Sequence, residues 1–139
     1  MIGPAAESRR QDMAAYQPRS CAHVPRPCGQ DAGTYLRYRS KKNAYAQSLA
    51  LEPNDGLTHD YLGYALFRLG RYAEAVQEFQ TAIVQRPDYK WPPINLIKVD
   101  CIQQKFAEAR QKLDVVRGTT ALWKSDEEFM RLCAPILKP

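Results

Sequence analysis

Arg71-Tyr72-Ala73-Glu74-Ala75 recurs 34 residues later as Lys105-Phe106-Ala107-Glu108-Ala109. The same offset pairs Leu62 with Leu96, and the exit Leu51-Glu52-Pro53 returns as Gln85-Arg86-Pro87. A fixed period of this size marks stacked supersecondary units, each unable to bury its apolar face alone. Inside one period, Leu62, Ala65, Leu66 and Leu69 share one helix face, and Ala75, Val76, Phe79, Ala82 and Ile83 share the face of another. Gly70 stands between the two sets, where a residue without Cβ relieves the left-handed turn that ends a helix, and Pro87 stops the second helix. Each unit is therefore a helical hairpin, Gly56 to Leu69 followed by Tyr72 to Gln85.

Small residues inside the hairpin have a packing role. Gly63, Ala75 and Ala82 let helix axes approach, while Leu62 and Phe79 fill the space between hairpins. The order His59-x-x-Leu62-Gly63-x-x-Leu66, then Ala75-x-x-x-Phe79-x-x-Ala82 and Pro87, resembles the tetratricopeptide repeat family. The resemblance covers Gly56 to Tyr89 closely and Lys90 to Trp123 less so, because Ile97, Gln104 and Val116 replace the family's small residues. It implies an all-α fold, a short right-handed α-solenoid of helical hairpins, and a protein–protein interaction module without chemistry of its own.

Outward from the two hairpins (56–89 and 90–117), Tyr38 to Leu51 is in phase with a second helix, since Tyr45 matches Phe79, Ser48 matches Ala82 and Pro53 matches Pro87. Its own first helix is absent, because 22–35 holds Pro25, Pro27, Gly29 and Gly33, which break a regular helix. Met1 to about Ala32 is expected to be irregular, so the chain divides into a basic segment, 1–35, and a repeat domain, 36–139. Downstream, Ser125-Asp126-Glu127-Glu128 has the Ser and the Glu three residues on that open a helix. A cap over 125–133 is expected, with Phe129, Leu132 and Trp123 inward and Pro135 ending it.

In the tetratricopeptide repeat family the first helix of each pair faces the partner peptide. Carried onto this chain by helical spacing opposite Leu62 and Leu66, that face holds Asp60, Tyr64, Phe67 and Arg68 in one hairpin and Trp91, Ile94, Asn95 and Lys98 in the next. Aromatic and cationic side chains suit capture of a protein or peptide partner, since they bury area and also hydrogen-bond. The plainer alternative packs Phe67 and Trp91 between hairpins and leaves Arg68 and Lys98 solvated. Asn95 stands where some family members clamp a partner's terminal carboxylate, but Asp60 and Tyr64 do not supply the rest of that clamp.

Composition narrows the remaining classes. With 45% apolar and 25% charged residues the chain is an ordinary globular one, and no apolar run approaches the ~20 residues that cross a bilayer. The net charge of +5 is uneven: residues 1–42 hold eight Lys/Arg against three Asp/Glu, while 43–139 hold twelve of each. The neutral repeat domain gives nucleic acid no basic face. The basic segment is a tail, a targeting peptide or a binding arm, though Glu7, Asp12 and the prolines weaken the second and sparse aromatics weaken the third.

His23 and His59 have no nucleophile beside them in an activating motif, and there is no phosphate loop or nucleotide fingerprint. No enzyme activity, cofactor or metal is expected, and His59 is expected to pack. Cys21, His23 and Cys28 lack the second cysteine pair of a zinc site. Four cysteines in 139 residues do not demand stapling, so a reducing, cytoplasmic setting is expected. The alternative to an adaptor is a homo-oligomer joined through the uncovered apolar face of 38–51.

Overall fold

The structure, a computed structural model, describes residues 31–138. Among them are seven α-helices and no strand: α1 Ala32–Leu51, α2 Gly56–Arg68, α3 Tyr72–Gln85, α4 Trp91–Ile102, α5 Phe106–Arg117, α6 Glu127–Leu132 and α7 Ala134–Leu137, with a 3₁₀ turn at Leu122–Ser125 before α6. The chain is an all-α, tetratricopeptide-like helical repeat. Helices α2 and α3 form one hairpin and α4 and α5 the next; α1 packs on α2, α3 on α4, and α6 closes on α4. Residues 1–30 of the basic segment, with the Cys21, His23 and Cys28 group, lie outside the described residues, while 31–35 cap and open α1.

The turn chemistry follows the repeat. Gly70 takes φ 78°, and its N–H and that of Arg71 reach back to Phe67 O (3.0 Å) and Leu66 O (2.9 Å), closing the end of α2. The equivalent residue 34 positions on is Gln104, which takes φ 61° and makes the same pair: Gln104 N–H to Cys101 O (3.0 Å) and Lys105 N–H to Asp100 O (2.8 Å). The turn geometry is thus kept where the sequence loses the residue best suited to it.

Packing explains a second departure. A Cβ on Gly63 would stand 2.7 Å from ring atoms of Phe79, which is fully buried. The equivalents in the next hairpin are Ile97 and Leu113, both fully buried in one core cluster with Ile94, Ala109 and Phe129. The larger residue on the first helix is thus accompanied by a smaller one on the second, which keeps interior volume roughly constant. Val116, where Ala82 stands one repeat earlier, is accommodated in the same cluster.

Two boundaries differ from the sequence expectation. Helix α1 begins at Ala32 rather than Tyr38, running through Gly33 and Tyr35. Asp31 is its cap: the Asp31 carboxylate accepts from the Thr34 N–H (2.7 Å) and hydroxyl (3.0 Å), which fixes the first turn across the glycine. The helix of the cap starts from Asp126, whose Oδ1 accepts from the Phe129 N–H (3.1 Å), while the Ser125 hydroxyl donates to Leu122 O (2.8 Å) and finishes the 3₁₀ turn. Pro135 does not end the cap. It sits in the first turn of α7, where the missing N–H costs nothing, and Ile136 follows it into the core.

The expectation of unpaired cysteines is also corrected. Cys101 in α4 and Cys133 just after α6 form a disulfide, their Cα atoms 5.3 Å apart, and no free cysteine is found among the described residues. Cys133 is carried there by the inward packing of Phe129 and Ile136, which the linear sequence does not display. A disulfide persists in oxidising surroundings, so the ground for expecting a reducing compartment is removed. Among the described residues no helix is long and apolar enough to cross a membrane.

Candidate interaction groove

An open groove of about 310 Å³ runs between α1, α2 and α4, with Tyr89 of the connecting segment and Asp126 of the cap at its rim. Five of the chain's eight tyrosines line it, Tyr38, Tyr45, Tyr61, Tyr64 and Tyr89, together with Trp91. The concentration is a consequence of the fold. Tyr38 and Tyr45 are seven residues apart and share one face of α1; Tyr61 and Tyr64 share one face of α2. Where these faces meet, the Tyr38 and Tyr64 rings stand edge to face at 5.9 Å, and Tyr45 and Tyr61 lie 5.7 Å apart.

Five of the eight residues assigned to the partner face from sequence line this groove: Asp60, Tyr64, Trp91, Asn95 and Lys98. Phe67 does not. It is 3% exposed in the core cluster of Leu62, Leu66 and Phe79, so its assignment to the partner face is corrected to packing, and Ile94, fully buried, goes the same way. Arg68 lies beside the groove, its guanidinium 4.7 Å over the Tyr38 ring and donating to Glu128 (3.2 Å) and to the Tyr64 hydroxyl (3.3 Å).

Neither are Arg68 and Lys98 solvated cations. The Lys98 ammonium, 5% exposed, donates to Asp126 Oδ2 (2.8 Å) and Glu128 Oε1 (3.0 Å). The Tyr64 hydroxyl donates to the same Glu128 oxygen (3.1 Å), and burial pushes that phenol above its ordinary range. The acids of the cap thus neutralise both cations of the first-helix face, and Asp126 serves twice, as cap of α6 and as partner of Lys98.

Asp60 is treated differently. It is 4% exposed, and Asn95 Nδ2 donates to its Oδ1 at 3.0 Å. Burial raises its carboxyl to about 6 against the hydrogen bonds from Asn95 and Tyr89, which favour the charged form. Tyr89 is itself pushed up to about 12, by burial first and by the neighbouring Asp60 charge second.

His59 faces the other way. Its Nδ1 is 2.6 Å from Glu78 Oε2 on α3 and its Nε2 2.8 Å from Pro53 O, so both ring nitrogens are engaged in tying the hairpin together. Among the described residues no group of three His, Cys, Asp or Glu side chains could hold a metal ion.

The groove residues that spacing missed are Tyr38, Lys41, Tyr45, Tyr61, Ala65, Tyr89 and Asp126. Tyr61 had a signal: it is Asn95 moved back by one period. The two α1 tyrosines had one as well, their seven-residue separation. Asp126 had none, since nothing in the sequence says that the cap reaches the first-helix face.

Comparison with known proteins agrees with this architecture. Residues 56–89, which are α2, α3 and the segment to Tyr89, match the tetratricopeptide repeat family model. No curated protein and no solved structure matches the chain. Such repeats generally mediate contacts between proteins. Residues 56–89 are thus similar to one tetratricopeptide repeat, and the helical hairpins on either side of them are consistent with that family.

Proposed function

We propose that this protein is an adaptor without chemistry of its own, and that the groove between α1, α2 and α4 is where a peptide or partner subunit docks. The observation that carries the reading is the convergence of five tyrosines and Trp91 on one open groove. Aromatic side chains with a polar tip give much contact area with few torsions to freeze, which is why they dominate binding hot spots. Tyr61, at 42% exposure, holds such a ring partly in water, 5.7 Å from that of Tyr45. The engagement of both nitrogens of His59 supports a packing role for that histidine and weighs against general-base chemistry.

An acidic partner is not favoured on this face, because the Lys98 ammonium and the Arg68 guanidinium already meet Asp126 and Glu128. Self-association through α1 is not favoured either. The α1 face bearing Tyr38, Tyr45 and Leu49 is turned toward α2, and Leu51 is the one large apolar side chain of α1 that is mostly exposed.

The test is capture of a partner by the wild-type chain and by a Tyr61→Ala, Trp91→Ala variant of equal helicity. The expected outcome is a partner held by the first and lost by the second. Equal capture by both assigns docking to another face.

A further inference from the structure

Charge around the groove is unequally satisfied. Of the cations around the groove, Lys98 meets Asp126 and Glu128 and Arg68 meets Glu128, while Lys41 lies over the Tyr38 ring at 5.2 Å. The Asp60 carboxylate has neutral donors, Asn95 at 3.0 Å and the Tyr89 hydroxyl, and among the described residues no ammonium or guanidinium reaches ion-pair distance of it. Lys98 is close enough to act on it through space, but its protons are directed at the cap. A buried carboxylate without an ionic partner is the unusual member of any site, because removing one charge from water is costly until an opposite charge arrives.

Aromatic rings stand beside it. Tyr61 is its chain neighbour, Tyr89 hydrogen-bonds to it, and Trp91 lines the same groove. Aromatic faces attract cations, and a planar guanidinium stacks on them while keeping its edge free for a carboxylate. We propose that the groove receives an arginine side chain of the partner, its guanidinium lying against Tyr61 and Trp91 and hydrogen-bonding to Asp60. The partner is therefore a protein segment presenting a basic residue, not an acidic tail. This inference rests on the groove being the docking site, and names what it selects.

The choice of arginine over lysine follows from shape. Asp60 keeps one oxygen on Asn95, so the incoming group must approach from the aromatic side in a defined plane, which a guanidinium satisfies and a compact, strongly hydrated ammonium does not. Burial raises Asp60, and an arriving guanidinium favours its charged form again, so pairing acts on a groove acid that has no ion pair among the described residues.

The experiment uses the full chain, isotopically labelled, titrated with blocked peptides Gly-Ser-Ala-X-Ala-Ser-Gly in which X is arginine, lysine, alanine or glutamate. Amide shifts of Tyr61, Tyr89 and Trp91 are followed. The expected result is that the arginine peptide binds roughly tenfold more tightly than the alanine or glutamate peptide, as one charge-assisted hydrogen bond warrants. Asp60→Asn, close in shape, is expected to abolish that preference, and Tyr61→Ala, at an exposed position, to weaken it. Equal groove shifts with alanine or glutamate, or a preference that survives Asp60→Asn, would overturn the arginine assignment while leaving the groove as the docking site. No groove shifts with any peptide at millimolar concentration would also overturn it, and partner capture by the Tyr61→Ala, Trp91→Ala variant then decides the docking site separately.

Discussion

Gln104 holds a left-handed backbone conformation at φ 61° that its equivalent, Gly70, adopts without a Cβ. An L-residue there costs about 1–2 kcal/mol, of which glycine returns part through its greater unfolded freedom. Gln104→Gly is therefore expected to stabilise the fold by about 0.5–1 kcal/mol, read as a higher urea midpoint at unchanged slope. Gly63 gives the converse case. Gly63→Ala drives a Cβ into the Phe79 ring and is expected to cost about 1–3 kcal/mol. Adding Phe79→Leu, the pairing that Ile97 and Leu113 already use, should recover about 1 kcal/mol relative to the sum of the single changes in a double-mutant cycle. Asp60 makes a pH-dependent contribution. Its folded pKa is raised to about 6, so the folded chain binds more protons than the unfolded one between the ordinary carboxyl range and that value. Stability from this group accordingly falls as pH rises through that window, and Asp60→Asn should flatten the corresponding part of a stability-versus-pH curve.

At the scale of elements, the hairpins α2–α3 and α4–α5 were legible because their signal is redundant: a 34-residue period, matching apolar faces and punctuating Gly70 and Pro87 all agree. The start of α1 was not, because two weak features conflict and the Asp31–Thr34 cap overrides the glycine two residues on. The cap was legible in its apolar side chains, Trp123, Phe129 and Leu132, but not in its fastening. Cys101 and Cys133 are 32 residues apart, and only the packing of α6 against α4 brings them together. By the chain-entropy model a loop of that length contributes about 3–4 kcal/mol. Reduction, or a Cys101→Ser, Cys133→Ser pair, is thus expected to lower the thermal midpoint and to raise amide exchange first in α6 and α7. Unchanged exchange there would mean that Phe129 and Ile136 hold the cap without the bond.

For the whole molecule, the groove was legible only in part. Helical spacing selects side chains opposite the core of an isolated hairpin, which finds Asp60, Tyr64, Trp91, Asn95 and Lys98. It places Phe67 on the wrong side because α3 and α4 enclose α2 more fully than one hairpin does, leaving Phe67 3% exposed. Nor can spacing see that Asp126 and Glu128 cross from the cap to neutralise Lys98, which leaves an aromatic groove whose Asp60, among the described residues, has neutral donors but no ion pair. The most direct measurement of the central claim is an amide shift map of the chain bound to its captured partner. Docking in the groove predicts shifts concentrated at Tyr38, Tyr45, Tyr61, Tyr64 and Trp91, with the outward residues of α3 and α5 unmoved. Shifts concentrated instead on α3 and α5, around Val84 and Val115, would contradict it.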